Sequence, residues 1–165
     1  MTAFAINEKP RECGECTLCC KVLGIKTDEL QKAKDTWCDF AQKKCGCSIY
    51  HARPTVCREF ECLWLRGQFG GIELRPDKIH GVVTPTTDGS NWVIHEDHGY
   101  PGHARQALMP IIKAWLAQKQ SNYVIVVTGT KRSYLGHPDT FAKLQGTVDE
   151  LTGMRDVKVV RTIGE

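Results

Sequence analysis

The stretch Cys13-Gly14-Glu15-Cys16-Thr17-Leu18-Cys19-Cys20 decides how the chain is read, because it brings four thiols into eight residues. A two-residue spacer lets two thiolates meet one ion across a tight turn, which is why it recurs in zinc and iron–sulfur sites. Gly14 and Gly24 supply the backbone freedom that such turns need. Cys38, Cys45, Cys47, Cys57 and Cys62 follow, so all nine cysteines of the 165-residue chain lie between Cys13 and Cys62. In an exported protein this richness would suggest a disulfide framework. The opening Met1 to Glu8 lacks the charged start and long apolar run of a secretory signal. With an odd cysteine count as well, metal or redox chemistry in the cytoplasm is the expectation.

The cysteine distribution divides the chain into two unlike parts of one α+β domain. The first, residues 9–67, is expected to be irregular, cysteine-rich and stapled by metal. Its regular signals are short: Thr27-Asp28-Glu29-Leu30 predicts a small helix capped by Thr27, and Pro54 suits the first turn of another reaching toward Leu65. Gly67, Gly70 and Gly71 mark a loop ending at Arg75-Pro76-Asp77. The second part, residues 76–165, reads as a small α+β scaffold. Strands are expected over His80 to Pro85 and Asn91 to His95, with Thr87-Asp88-Gly89-Ser90 as the turn between them. Ala104, Ala107, Leu108, Ile111, Ile112, Trp115 and Leu116 recur at helical spacing, with Pro110 expected to kink that helix or mark its start. Tyr123 to Val127 is the strongest strand signal. Pro138 and Asp139 open a last helix that Gly153 closes, and Val157 to Thr162 reads as a final strand.

The second cysteine group interleaves thiols with aromatic and basic residues in Cys47-Ser48-Ile49-Tyr50-His51-Ala52-Arg53-Pro54-Thr55-Val56-Cys57-Arg58-Glu59-Phe60-Glu61-Cys62. Metal thiolates carry net negative charge, so neighbouring cations and N–H donors stabilise them. Arg53 and Arg58 are the candidates for that role, and Tyr50 and Phe60 are expected to pack around the site. Taken together, Cys13-x2-Cys16-x2-Cys19-Cys20, then Cys38, then Cys47-x-Ile49-Tyr50-x2-Arg53-Pro54-x2-Cys57-Arg58-x-Phe60-x-Cys62, the chain resembles the CxxCxxCC, or YkgJ-type, family of zinc- or iron-chelating cysteine-cluster proteins. Thr36-Trp37-Cys38, Cys62-x-Trp64-Leu65 and Leu74-Arg75-Pro76-Asp77 extend the resemblance to the short bacterial members. It implies metal chelation by Cys13, Cys16, Cys19, Cys20, Cys38, Cys47, Cys57 and Cys62, and it leaves Cys45 outside the pattern. It implies no agreed reaction. Flagellin lysine methylases carry a similar cysteine signature, which keeps an enzymatic role open.

Eight ligands fit two four-ligand sites, and Cys19 and Cys20, if extended, would face opposite ways toward different ions. One four-ligand site with four bystander thiols is the alternative. Zinc suits closed tetrahedral sulfur sites, whereas the Cys13, Cys16, Cys19 spacing also suits an iron–sulfur cluster. The Cys-Pro that often completes a ferredoxin run is absent, since Pro54 precedes Cys57 by three, and zinc and iron both stay open. Structural zinc contributes about 10–16 kcal/mol in finger peptides, enough to organise a part with so thin a core.

The remaining signals are weaker. The formal charge is +3 with neutral thiols. Eight thiolates subtract eight and two divalent ions return four, which takes it to −1 and disfavours a nucleic-acid partner. Metal ions are the expected partners, a protein partner is open, and no apolar run approaches the roughly 20 residues of a membrane span. His95-Glu96-Asp97-His98, with His103, lacks the i, i+4 spacing of a zinc-protease helix and reads as a solvated loop. Thr128-Gly129-Thr130-Lys131-Arg132 lacks phosphate-loop glycine spacing and reads as a loop or hairpin tip. Three functions remain: a metal-binding protein, an iron–sulfur redox protein or enzyme, and a zinc-module interaction protein.

Overall fold

The computed structural model describes residues 11–144, 147, 150–151 and 159–162. Residues 9 and 10, the helix end expected at Gly153 and the strand start expected at Val157 lie outside the described residues. The chain is mixed α and β. Its first part contains α1 (Cys19–Val22), β1 (Ile25–Lys26), β2 (Gln31–Lys32), β3 (Ala41–Gln42), β4 (Gly46–Cys47) and α2 (Thr55–Glu59), and α3 (Pro76–Ile79) opens the second. The β1–β2 and β3–β4 pairs are antiparallel ribbons two residues long. Elements this short form too few hydrogen bonds to persist alone, so tertiary contacts must hold them.

One such contact corrects the helix expected at Thr27. Residues 27–30 are instead the turn of the β1–β2 ribbon, closed where the Leu30 amide donates to Thr27 Oγ1 at 3.1 Å and that hydroxyl donates to the Leu30 carbonyl. Glu29 leaves the turn to cap α2: its carboxylate accepts the Thr55 amide at 2.6 Å and the Thr55 hydroxyl at 3.2 Å. The polar side chains thus satisfy backbone groups of a turn and of a neighbouring helix, which competes with helix formation in place.

The second part is built on five strands in the order β5 (Gly81–Pro85), β6 (Trp92–Glu96), β7 (Tyr123–Thr128), β8 (Lys131–Gly136) and β9 (Val159–Thr162). The β5–β6 and β7–β8 pairs are antiparallel hairpins, while β6–β7 and β8–β9 are parallel. α4 (His103–Gln118) makes the crossover from β6 to β7, and α5 (Pro138–Leu144) follows β8. Strand alternation sends side chains to two faces. On one, Ile94, Val124, Val126 and Leu135 pack with Ala104, Leu108 and Ile112 of α4. Gly81 is required there, since a Cβ at that position would collide with the Ala104 methyl. On the other face Val93, Ile125, Val127 and Tyr134 pack with Phe141 of α5.

α4 runs from His103 to Gln118 with Pro110 inside it, so Pro110 does not mark its start. Proline removes one amide donor and crowds the preceding turn. Pro110 is exposed, so the freed carbonyl faces water, while Leu108, Ile112 and Trp115 hold the opposite side of the helix to the sheet. Trp115 stacks on Trp92 of β6 with ring centroids 4.7 Å apart.

Glu96 fixes where α4 begins. It is 2% exposed, and its carboxylate accepts the Gly102 amide at 2.9 Å, the Arg105 amide at 3.0 Å and the Thr128 hydroxyl at 2.6 Å. The carboxylate therefore satisfies two amides of the first helical turn and faces the positive end of the helix dipole. Glu96→Ala would leave those three donors without a partner. It should lower unfolding free energy by about 2–4 kcal/mol, read from the urea midpoint; a loss below about 0.5 kcal/mol would show that the cap is dispensable.

Candidate metal centre

All eight cysteines of the motif line one cavity of about 710 Å³. Cys45 does not, and it is exposed in the turn of the β3–β4 ribbon. The nine cysteines are free thiols. Each reaches the cavity by a distinct local device. The Cys16 amide donates to the Cys13 carbonyl at 2.8 Å, closing the first turn, with Gly14 at φ +51° inside it. Gly46, at φ +109°, brings the β3–β4 ribbon against that turn: a Cβ there would lie 3.2 Å from the Gly14 carbonyl. The next residue, Cys47, is thereby aimed at the same space. The Cys38 amide donates to the Cys20 carbonyl at 2.9 Å, Cys57 rides on the Glu29-capped α2, and Cys62 directly precedes the residue that bonds to β5.

Cys19 and Cys20 depart from the extended geometry expected for them. They are the first two residues of α1, so their side chains diverge by about 100° rather than pointing opposite ways. Both face the cavity. A hydrogen bond from the Cys19 thiol to the Cys20 sulfur pulls Cys20 down to about 7, aided by Lys32 and Arg53, and the same bond with burial raises Cys19. Burial pushes Cys16 up to about 11 and also raises Cys13, Cys57 and Cys62. Cys20 is therefore the thiol whose ionised form is most favoured, while burial holds the proton on Cys13, Cys16, Cys57 and Cys62.

Of the predicted neighbours, Arg53 and Tyr50 line the cavity and Arg58 does not. Arg53 Nε donates to the Tyr50 carbonyl at 2.9 Å, and its guanidinium lies 3.8 Å from the Tyr50 ring centroid. Arg58 is exposed and bonds to the Thr55 hydroxyl. Lys26, Lys32 and Lys34 also line the wall, and no Asp or Glu does. Sequence reading passed over these lysines, whose placement comes from tertiary contacts rather than from any spacing.

The solvated loop expected at His95-Glu96-Asp97-His98 is instead mostly interior. His95 and Glu96 end β6, and His95, Glu96 and Asp97 are 7%, 2% and 3% exposed. Asp97 pairs with Lys21 of α1 at 2.6 Å, tying the cysteine-bearing helix to the sheet. His98 is exposed, and His103 opens α4 beside the stacked His80 and Tyr100 rings, so these histidines do not assemble a second site. Thr128 to Arg132 forms the tip of the β7–β8 hairpin.

His95, Thr84 and Val82 carry the sheet's share of the cavity wall. His95 Nε2 and Thr84 Oγ1 lie 3.1 Å apart. An alternating strand signal alone hides this role, since it marks a residue as inward without saying what it meets.

The donor set, eight free thiols in one cavity with basic neighbours, fits zinc or iron chemically. Among the described residues, however, no group of three or more His, Cys, Asp or Glu side chains converges as an ion-holding site. No helix among the described residues is long and apolar enough to cross a membrane. No protein-family model, curated protein or solved structure matches the chain.

The imidazole of His95 gives a test of this geometry. Burial pushes its pKa down to about 4, with Lys34 adding to the effect. In the unfolded chain it titrates near 6.5, so between about 6.5 and 4 the unfolded state binds one more proton than the fold. Stability therefore falls as pH falls through that window. His95→Gln should remove roughly 2 kcal/mol of the loss between pH 7 and pH 5. Urea midpoints of both proteins at the two pH values measure it; equal losses would place His95 outside the buried setting.

Proposed function

We propose that this is a metal-binding protein whose eight motif cysteines, Cys13, Cys16, Cys19, Cys20, Cys38, Cys47, Cys57 and Cys62, hold zinc or iron in a reducing, cytoplasmic setting. The observation that carries this reading is selectivity: the eight cysteines of the motif line one cavity, and the ninth, off the motif, does not. Hydrophobic collapse alone has no reason to sort thiols in this way, because a buried cysteine packs as an ordinary small apolar residue. The resemblance of the motif to cysteine-cluster chelators supports the same reading.

Iron in an iron–sulfur cluster and bare zinc ask different things of eight thiols that line one cavity of about 710 Å³. Four sulfurs each about 2.3 Å from a zinc ion must lie within roughly 4 Å of one another, which requires convergence on a point. A polyatomic cluster is instead gripped at separate irons around its periphery, and such a cluster supplies electron transfer when bound. The basic wall and the neutral, buried His95 would surround it without a competing carboxylate.

Iron with acid-labile sulfide and broad visible absorption, in protein purified anaerobically without chelator, would support the cluster form. A colourless protein with about two equivalents of zinc would support the zinc form, and less than about half an equivalent of any transition metal would remove the metal reading altogether. Cys45→Ser should leave metal content and thermal stability unchanged, whereas Cys57→Ser should lower both. Equal loss of metal in the two variants would mean that the cavity does not define the ligands.

A further inference from the structure

Lys32 is built into the cysteine centre in a way that the other partly buried lysines are not. Lys21 has Asp97 at 2.6 Å and Lys34 has Asp35 at 2.5 Å. Lys32 Nζ instead gives its three protons to backbone carbonyls, of Lys21 at 3.1 Å, Ala33 at 3.1 Å and Thr36 at 2.8 Å. An ammonium has three donors and no more, so this set saturates it. None of the ion pairs among the described residues includes Lys32, and no Asp or Glu lines the cavity that its side chain joins.

The three carbonyls come from the two segments that matter most to the neighbouring thiols. Lys21 follows Cys20 in α1, and its carbonyl is one of those a helix end leaves without an internal partner. Ala33 and Thr36 lie in the loop that leads to Cys38. The ammonium therefore clamps the Cys19-Cys20 turn to the approach of Cys38, parallel to the bond from the Cys38 amide to the Cys20 carbonyl. A partly buried cation ringed by carbonyls has no ion pair of its own, so a nearby anionic group would stabilise it. Burial lowers the Lys32 pKa, and the charges that oppose the shift are, largest first, those of Cys20, Cys38, Cys19 and Asp35.

We propose that Lys32 is the positioning residue and fixed counter-cation of the cysteine centre, holding the Cys19-Cys20 and Cys38 segments together and offsetting the negative charge of the metal thiolates they form. This rests on the metal-binding reading above. Arg53 lines the same cavity but is engaged by Tyr50 through a single carbonyl and a ring face, so it adds charge without joining two cysteine segments.

Two variants separate charge from hydrogen bonding. Lys32→Gln retains amide donors and loses the charge; Lys32→Arg retains the charge on a different head. Zinc affinity of each reduced protein is measured by competition with a chromogenic chelator, with hydrogen exchange over Val124 to Val127 reporting that the sheet is intact. Lys32→Gln should bind zinc about 10–100-fold more weakly, the range for lost partners of metal ligands, and Lys32→Arg should recover most of that loss. In iron-loaded protein Lys32→Gln should also move the reduction potential to more negative values, because removing a cation disfavours the added electron. Affinity of Lys32→Gln within about twofold of the wild type, or equal losses in both variants, would overturn the counter-cation role. If Lys32→Gln fails to fold, the potential and affinity of Lys32→Arg decide instead: values near wild type support the role, and a tenfold-scale loss opposes it. Wild-type protein that takes up neither metal would refute the metal reading itself, a result distinct from either variant outcome.

Discussion

One hydrogen bond, from the Leu63 amide to the Val83 carbonyl at 2.8 Å, sets how the cysteine-rich chain meets the sheet. β5 is the edge of the five-stranded sheet, and an uncovered edge offers unpaired backbone groups to any passing strand. Covering it with the chain just after Cys62 satisfies part of that edge and fixes the last cysteine beside Val82. From that anchor Leu63, Trp64 and Phe69 enter the same core as Val83, Ile94 and Leu108, and Leu18 and Val22 of α1 join them. Arg11 closes the arrangement, donating to the carbonyls of Trp64, Phe69 and Gly70 while its guanidinium lies over the Trp64 ring.

Because that core is shared, the cysteine part is not held by ligation alone. Its elements of two to five residues contribute little stability of their own, but α1 is pinned by Val22, which is fully buried, and by the Lys21–Asp97 pair. A metal centre would add linkage energy to a part already docked on the sheet. The pieces with the least apolar anchorage, the β1–β2 and β3–β4 ribbons, stand to gain most from it. They carry Lys32 and Cys47, so metal bound at these thiols would also draw the ribbons together.

Legibility in the sequence followed period and length. The Tyr123 to Val127 run and the α4 pattern were readable because several turns or strand positions repeat one signal, and five-residue hairpin strands flanked a recognisable Thr87 to Ser90 turn. β8 was missed because Lys131, Arg132 and Ser133 mask an alternation whose inward members include the fully buried Arg132. The Thr27 turn was misread because its residues suit a helix cap as well as a ribbon turn, and only Glu29's reach to Thr55 separates the two. The cysteine spacing marked out the residues that line the cavity. It carried no information about Lys32 or His95, which arrive from a ribbon and a strand far from the motif.

The carboxylates complete the logic of the centre by where they are absent. Glu29 caps α2, Glu96 caps α4, and Asp97 holds α1. Asp77, gripped by Arg75 at 2.6 Å, stands beside Cys16 without joining the cavity wall. Each of these acids positions an element that carries a thiol or borders one; Glu29, Glu96 and Asp97 direct their charge to amides, hydroxyls or a cation outside the cavity, while Asp77 divides its own between Arg75 and the Cys16 thiol. A carboxylate on the wall would repel thiolates and offer a hard oxygen donor to a soft site. With acids kept to the frame and cations to the wall, the only groups inside able to become anionic at moderate pH are the thiols. That division of charge leaves negative charge on the wall to the thiols, and in the metal-binding reading proposed above a cation would meet it.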